Sequence, residues 1–177
     1  VMENTTNTIL YSKNADEVLF PGSTVKIMTC LLALENTQLT DEVTMTATGV
    51  SGVTDGGASI SSQVDEVFTV EQCLYAIMVA SANDIALQIA EHVGGSVDGF
   101  VQQMNTRAQE LGCTNAVFTN PTGLPDDNQH TTAHDMALIM QAAIQNESFR
   151  TIAAATSYTI PATNKAAARN LTSKFTM

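Results

Sequence analysis

Apolar residues are distributed unevenly along the chain, and their spacing predicts its elements. From Ile27 to Leu34 every position except Thr29 is apolar or small, so this stretch reads as a helix buried on nearly every side, spanning about Thr24 to Glu35 and opened by a Pro21-Gly22 turn with Ser23 at the N-cap position. A second helical period begins at Val70, with Leu74, Ile77 and Met78 on one face. It breaks at Ser81-Ala82-Asn83-Asp84 and resumes with Ile85, Ile89 and His92 before Gly94-Gly95. Phe100, Met104, Ala108 and Leu111 mark a third helix ending at Gly112, and Thr132 with Asp135 starts another that runs to about Gln145.

Strand signals are fewer. Val1 to Glu3 and Thr8 to Tyr11 flank the turn-rich Asn4-Thr5-Thr6-Asn7 and predict a hairpin. Val43-Thr44-Met45 is a short strand within a Thr, Ser, Gly and Asp-rich excursion over 40–69, and Thr156 to Ile160 is a strand stopped by Pro161. Residues 120–128 are dense in turn chemistry, and the stretch after Pro161 has no clear pattern. Four or more helices against three convincing strands leave a helical face uncovered. The expectation is a single domain over 1–177, the front part of a larger α/β fold whose remaining strands lie beyond Met177.

Composition narrows the function classes. With 44% apolar residues and 177 positions the chain can bury a true core, and no stretch approaches 18 uninterrupted apolar residues. Seven Lys and Arg against eighteen Asp and Glu give a net charge of −11, which disfavours phosphate-backbone binding and excludes nucleic acid as the expected partner. Cys30, Cys73 and Cys113 cannot all pair and fall within or beside apolar helical patterns, as small buried hydrophobes do.

Lys26 is out of place. It falls in the first helical turn, where unpaired N–H groups and the positive end of the helix dipole disfavour a cation. Burial and dipole both lower its pKa, and a neutral amine one turn from the Ser23 hydroxyl can take that hydroxyl's proton and leave a nucleophile. The simpler alternative makes Ser23 an N-cap and lets Lys26 reach solvent. Ser81 and Asn83 sit at a helix–helix break, from which both side chains can project into a cleft; alternatively Asn83 or Asp84 caps the following helix, and Ser12-Lys13-Asn14 shows that the same spacing also arises by chance. His130 and His134 have the i, i+4 spacing of a zinc helix but lack its glutamate, so a loop-to-helix role is expected there, and no metal or cofactor is called for. His92 reads as a core or C-terminal helix residue.

The serine-x-x-lysine at Ser23 to Lys26, followed by serine-x-asparagine at Ser81 to Asn83, resembles the serine penicillin-recognising enzymes. More narrowly, Leu19 to Thr29, Val79 to Ala86, Met104-Asn105, Leu111-Gly112, Thr119 to Leu124 and His130 to Ala137 resemble the D-alanyl-D-alanine carboxypeptidases of the low-molecular-mass penicillin-binding type. The resemblance implies a layered α+β, β-lactamase/transpeptidase-like fold, with a helical cluster packed on a mostly antiparallel sheet. It further implies acyl transfer on peptidoglycan stem peptides ending in D-Ala-D-Ala, outside the cytoplasmic membrane, with β-lactams acylating the same serine. Ser23 would be the nucleophile, Lys26 the base, Ser81 a proton relay and Asn83 the holder of the substrate amide, with the Ser23 N–H as half of an oxyanion hole. Any membrane attachment is expected through segments outside this chain.

One departure stands out. The family's third motif, Lys then Thr or Ser then Gly, is absent: Lys13, Lys26, Lys165 and Lys174 are followed by Asn14, Ile27, Ala166 and Phe175. The expectation is that this stretch alone lacks half its oxyanion hole and its carboxylate anchor and is poorly active. The same absence motivates a second reading, a non-catalytic cell-wall-binding or regulatory relative. A β-lactamase fits less well, because no E-x-x-L-N loop follows Gly112.

Overall fold

A computed structural model describes residues 1–51 and 57–173; part of the predicted surface excursion, 52–56, and the Lys174-Phe175 pair lie outside the described residues. The long apolar run becomes a central helix, preceded by one 3-10 turn at Gly22–Val25 and continuing as α1 (Lys26–Asn36). The chain then forms β1 (Glu42–Thr44), α2 (Ala47–Ser51), β2 (Val67–Thr69), α3 (Val70–Ala80), α4 (Asn83–Gly94), α5 (Val97–Glu110), α6 (Ala133–Ala143), α7 (Glu147–Ala153), β3 (Ser157–Ile160) and β4 (Arg169–Thr172). α1 packs against α3, α4, α5, α6 and α7, so the apolar run is enclosed by helices on most sides. Met28, Cys30, Leu31, Leu32 and Ala33 are buried there beside Cys73, Leu74, Ile77, Ile85 and Ile89. No helix among the described residues is long and apolar enough to cross a membrane.

Local chemistry explains where these helices start. Thr69 and Gln72 form a reciprocal capping box at α3, with Gln72 N donating to Thr69 Oγ1 (3.2 Å) and Thr69 N to Gln72 Oε1 (3.0 Å). Ser96, Thr132 and Asn146 cap α5, α6 and α7 through Gly99 N, Asp135 N and Phe149 N. α4 ends at Gly95 in the left-handed region (φ +71°).

Ser23 departs from the predicted N-cap role. The α-helix starts at Lys26 rather than Thr24, and the preceding turn is closed by the Thr24 N–H and hydroxyl on the Pro21 carbonyl (3.3 and 2.7 Å), so the Ser23 hydroxyl is not used for capping. Three elements lacked a sequence signal. In α2, Gly49 packs so tightly that an added Cβ would lie 2.6 Å from Gln88 Oε1 on α4. In α7 only Phe149 and Ile152 are buried, and in β4 only Leu171, too few for a readable period.

Every named strand pair is antiparallel: β1 with β2 (Val43 opposite Phe68) and β3 with β4 (Tyr158 opposite Leu171). The N-terminal hairpin is a single bridge, Met2 with Ile9. Two further bridges, Leu19 with Thr131 and Val117 with His130, tie the approach to the serine turn to the loop that leads into α6.

The β3–β4 ribbon is locked to the 60–69 segment by a buried ion pair. Arg169 donates to both oxygens of the fully buried Glu66 (2.7 and 2.9 Å), and Thr163 Oγ1 adds a third bond. Arg169→Ala leaves that carboxylate buried without its cation; the expected loss is about 3 kcal/mol of folding free energy, read from the denaturant midpoint.

Candidate active site

The serine turn, the α3–α4 junction and the 119–124 loop meet at Ser23. Its side chain is exposed, and its Oγ lies 3.3 Å from Lys26 Nζ and accepts the Ser81 hydroxyl at 3.1 Å. The Ser23 N–H has no acceptor among the described residues. Lys26, by contrast, is only 2% exposed, and its second contact is a short bond from Nζ to the Thr122 carbonyl (2.6 Å). Among the described residues no carboxylate lies within ion-pair distance of this amine. Burial therefore dominates its titration and lowers its pKa to about 8, with Cys30 opposing weakly; the Cys30 thiol is itself pushed up to about 12 by burial. The alternative in which Lys26 reaches solvent is thus not the one adopted.

Ser81 occupies the left-handed region (φ 57°, ψ 33°) at the end of α3, with its N–H and that of Ala82 both on the Ala76 carbonyl. A non-glycine residue there costs on the order of 1 kcal/mol. That conformation places the hydroxyl on Ser23.

Two residues on, Asn83 is the first residue of α4, 4% exposed, with its N–H on the Ala58 carbonyl (2.7 Å). Neither Asn83 nor Asp84 is the N-cap, a position held by Ala82. The Asp84 carboxylate instead accepts Ser59 Oγ (2.8 Å) and the Ser62 hydroxyl and N–H (2.7 and 3.1 Å). The Asn83 carboxamide has no hydrogen-bond partner among the described residues, which leaves it available to a ligand.

Sequence reasoning gave no role to the loop that holds Lys26. Thr29 Oγ1 donates to the Pro121 carbonyl (2.8 Å) one turn along α1 from the Lys26 contact, so two successive carbonyls of the loop grip one face of the helix. Gly123 (φ +81°) permits this approach, since an added Cβ would lie 1.9 Å from Gly22 O. The available signal was the Asn-Pro-Thr-Gly turn at 120–123, legible as a turn but not as a partner of α1.

The histidines serve other contacts. His130 Nδ1 pairs with Asn128 O (3.0 Å), His134 Nδ1 with Asp16 Oδ1 (3.3 Å), and His92 is exposed in the last turn of α4. Among the described residues no three His, Cys, Asp or Glu side chains are grouped to hold a metal.

A hydroxyl flanked by a desolvated amine and a second hydroxyl can act as an acyl acceptor, with the amine as base. Comparison with known proteins bears on the same point, for a family profile described as D-alanyl-D-alanine carboxypeptidase matches residues 1–175. The chain belongs to that family.

Among carboxypeptidases, DacF of Bacillus subtilis (strain 168) is 37% identical over 153 residues, which cover 84% of this chain and 39% of the relative. The D-alanyl-D-alanine carboxypeptidase of Streptomyces sp. (strain K15) is 33% identical over 93% of this chain and 60% of its own length. The crystal structure of the Streptomyces K15 DD-transpeptidase superposes with a TM-score of 0.87 at 32% identity, covering 96% of this chain and 68% of that one. A carboxypeptidase structure from Mycobacterium tuberculosis H37Rv gives 0.89 at 26% identity, covering 98% of this chain and 64% of that one. The chain thus has the family's α/β fold and spans about two fifths of the length of the Bacillus carboxypeptidase.

Proposed function

We propose that the protein is a serine D-alanyl-D-alanine carboxypeptidase acting outside the cytoplasmic membrane on peptidoglycan stem peptides that end in D-Ala-D-Ala, and that β-lactams acylate it at the same residue. The observation that carries this reading is the buried Lys26 amine, unpaired with any carboxylate among the described residues and 3.3 Å from the exposed Ser23 hydroxyl.

The neutral Lys26 Nζ takes the Ser23 proton as Oγ attacks the carbonyl of the penultimate D-alanine. The negative charge that develops on that carbonyl oxygen meets the Ser23 N–H at the start of the helix. The proton returns from Lys26, through the Ser81 hydroxyl, to the leaving D-alanine amine as the peptide bond breaks. Water then hydrolyses the acyl-enzyme, and Asn83 holds the substrate's amide throughout. In this reading residues 1–177 form one transpeptidase-like domain that carries these four side chains, while the carboxylate anchor and second oxyanion donor belong to further sequence of a longer parent.

The test is incubation of the purified longer parent with a fluorescent penicillin, followed by mapping of the adduct, alongside release of D-alanine from a D-Ala-D-Ala peptide. The expected result is one covalent adduct on the peptide containing Ser23. Reversible stem-peptide binding with no adduct would contradict the reading and favour a non-catalytic cell-wall-binding relative.

A further inference from the structure

Asn120 has no role in the scheme above, yet its carboxamide organises the loop that holds Lys26. Its Oδ1 accepts three bonds, from Gly123 N (2.8 Å), Thr122 N (3.2 Å) and Thr122 Oγ1 (2.8 Å), and its Nδ2 donates to Leu124 O (3.1 Å). The buried Gln129 supports it: Oε1 accepts the Thr119 and Asn120 N–H groups (both 3.1 Å). The Thr122 carbonyl and the Gly123 N–H belong to one planar trans peptide unit, so they point in opposite directions. Gripping the N–H on one side aims the carbonyl on the other, where it meets Lys26 Nζ at 2.6 Å.

We propose that Asn120 is a positioning residue for the Lys26 amine: by holding the Gly123 N–H it turns the Thr122 carbonyl onto Nζ and so directs the amine's lone pair at the Ser23 hydroxyl. The inference rests on the serine–lysine reading above. A neutral primary amine has two N–H bonds and one lone pair, and without an anchor it rotates about the Cε–Nζ bond. With one N–H committed to Thr122 O, fewer orientations remain and the lone pair can stay on Ser23 Oγ, 3.3 Å away. After proton transfer the same carbonyl keeps a charge-assisted bond to the ammonium.

Among the described residues, the other titratable groups around α1 leave the amine to this anchor. Cys30, one turn along α1, is neutral at working pH. Cys73 on α3 is buried with its thiol pushed up. The Asp84 carboxylate on α4 is taken by Ser59 and Ser62, and that of Asp135 on α6 by the Thr114 and Asn115 N–H groups (3.1 and 2.8 Å). Of the ion-paired groups on or near α1 and α5, Glu35 and Glu110 are bound to Arg107.

The test compares, in the longer parent, β-lactam acylation rates of the wild type, Asn120→Ala and Asn120→Asp from about pH 6 to about pH 10, with thermal melts of each. Asn120→Ala loses all three acceptor bonds, and its high-pH plateau is expected to fall about tenfold or more while the adduct still forms on Ser23. Asn120→Asp keeps an acceptor oxygen in place and adds a negative charge near the amine. Its plateau is expected to stay within about twofold of wild type, while its midpoint moves to higher pH, so it is slowed at neutral pH only. A merely structural role predicts lowered melting temperatures with the plateau of Asn120→Ala unchanged, and that result overturns the proposal. If the Ala variant does not fold, Asn120→Ser, whose shorter side chain cannot hold all three donors, is measured in its place with the same plateau readout. Failure of the wild type to form any adduct at Ser23 overturns the serine–lysine reading itself, and this inference with it.

Discussion

Lys26→Met is expected to lower the rate of acylation by about a thousandfold while leaving Ser23 in place, because methionine fills the volume and supplies no base. The wild-type rate rises through about pH 8, following the neutral fraction of the amine, whereas the Met variant gives a flat profile. With the pKa at about 8, about a tenth of the amine is neutral at pH 7 and about nine tenths at pH 9. The same shift has a consequence for stability. The folded value lies below the ordinary lysine value of 10.5, so the unfolded chain binds the extra proton between about pH 8 and pH 10.5. Below that window both states are protonated and the burial penalty is complete; above it neither is. Wild-type stability, measured by urea unfolding relative to Lys26→Met, should therefore rise across the window by up to about 3 kcal/mol.

Gly123→Ala is expected to damage both fold and site. The new methyl group meets Gly22 O at 1.9 Å and Ser23 N at 2.9 Å, and both are backbone atoms of the serine turn with no freedom to swing aside. The φ of +81° adds strain of its own. The loop must retreat, and the Thr122 carbonyl retreats with it from Lys26. The expected outcome is a loss of about 3 kcal/mol in folding free energy and a fall of about a hundredfold in acylation rate, read from denaturant midpoints and fluorescent-penicillin kinetics. Gly95→Ala is the control: its φ is +71°, but no atom lies within 4 Å of the added Cβ, so about 1 kcal/mol is lost and acylation is unaffected.

Much of this was legible in the sequence because it was written in periodicity and in one misplaced charge. The apolar run from Ile27 to Leu34 announced α1, and the interruption at Ser81 to Asp84 marked the α3–α4 junction within a residue or two. Lys26 stood out because the first turn of a buried helix is a poor place for an ammonium. The Ser23 cap was misplaced because the chain enters through a 3-10 turn, a difference that depends on Gly22 adopting φ +52° rather than on any apolar spacing. α2, α7 and β4 bury one or two residues each, so their form is set by partners far along the chain, as with Gly49 on Gln88 and Arg169 on Glu66. The grip of the 119–124 loop on Lys26 and Thr29 is made by backbone carbonyls, which any residue type carries and no sequence pattern reveals.

The central claim is that the amine at position 26 is held neutral enough to deprotonate the hydroxyl at position 23. Titration of the lysine Cε carbon by NMR in protein labelled at lysine, with Lys26→Met to assign the resonance, measures this directly. The expected midpoint is near 8. A midpoint at or above the ordinary lysine value of 10.5 would contradict it.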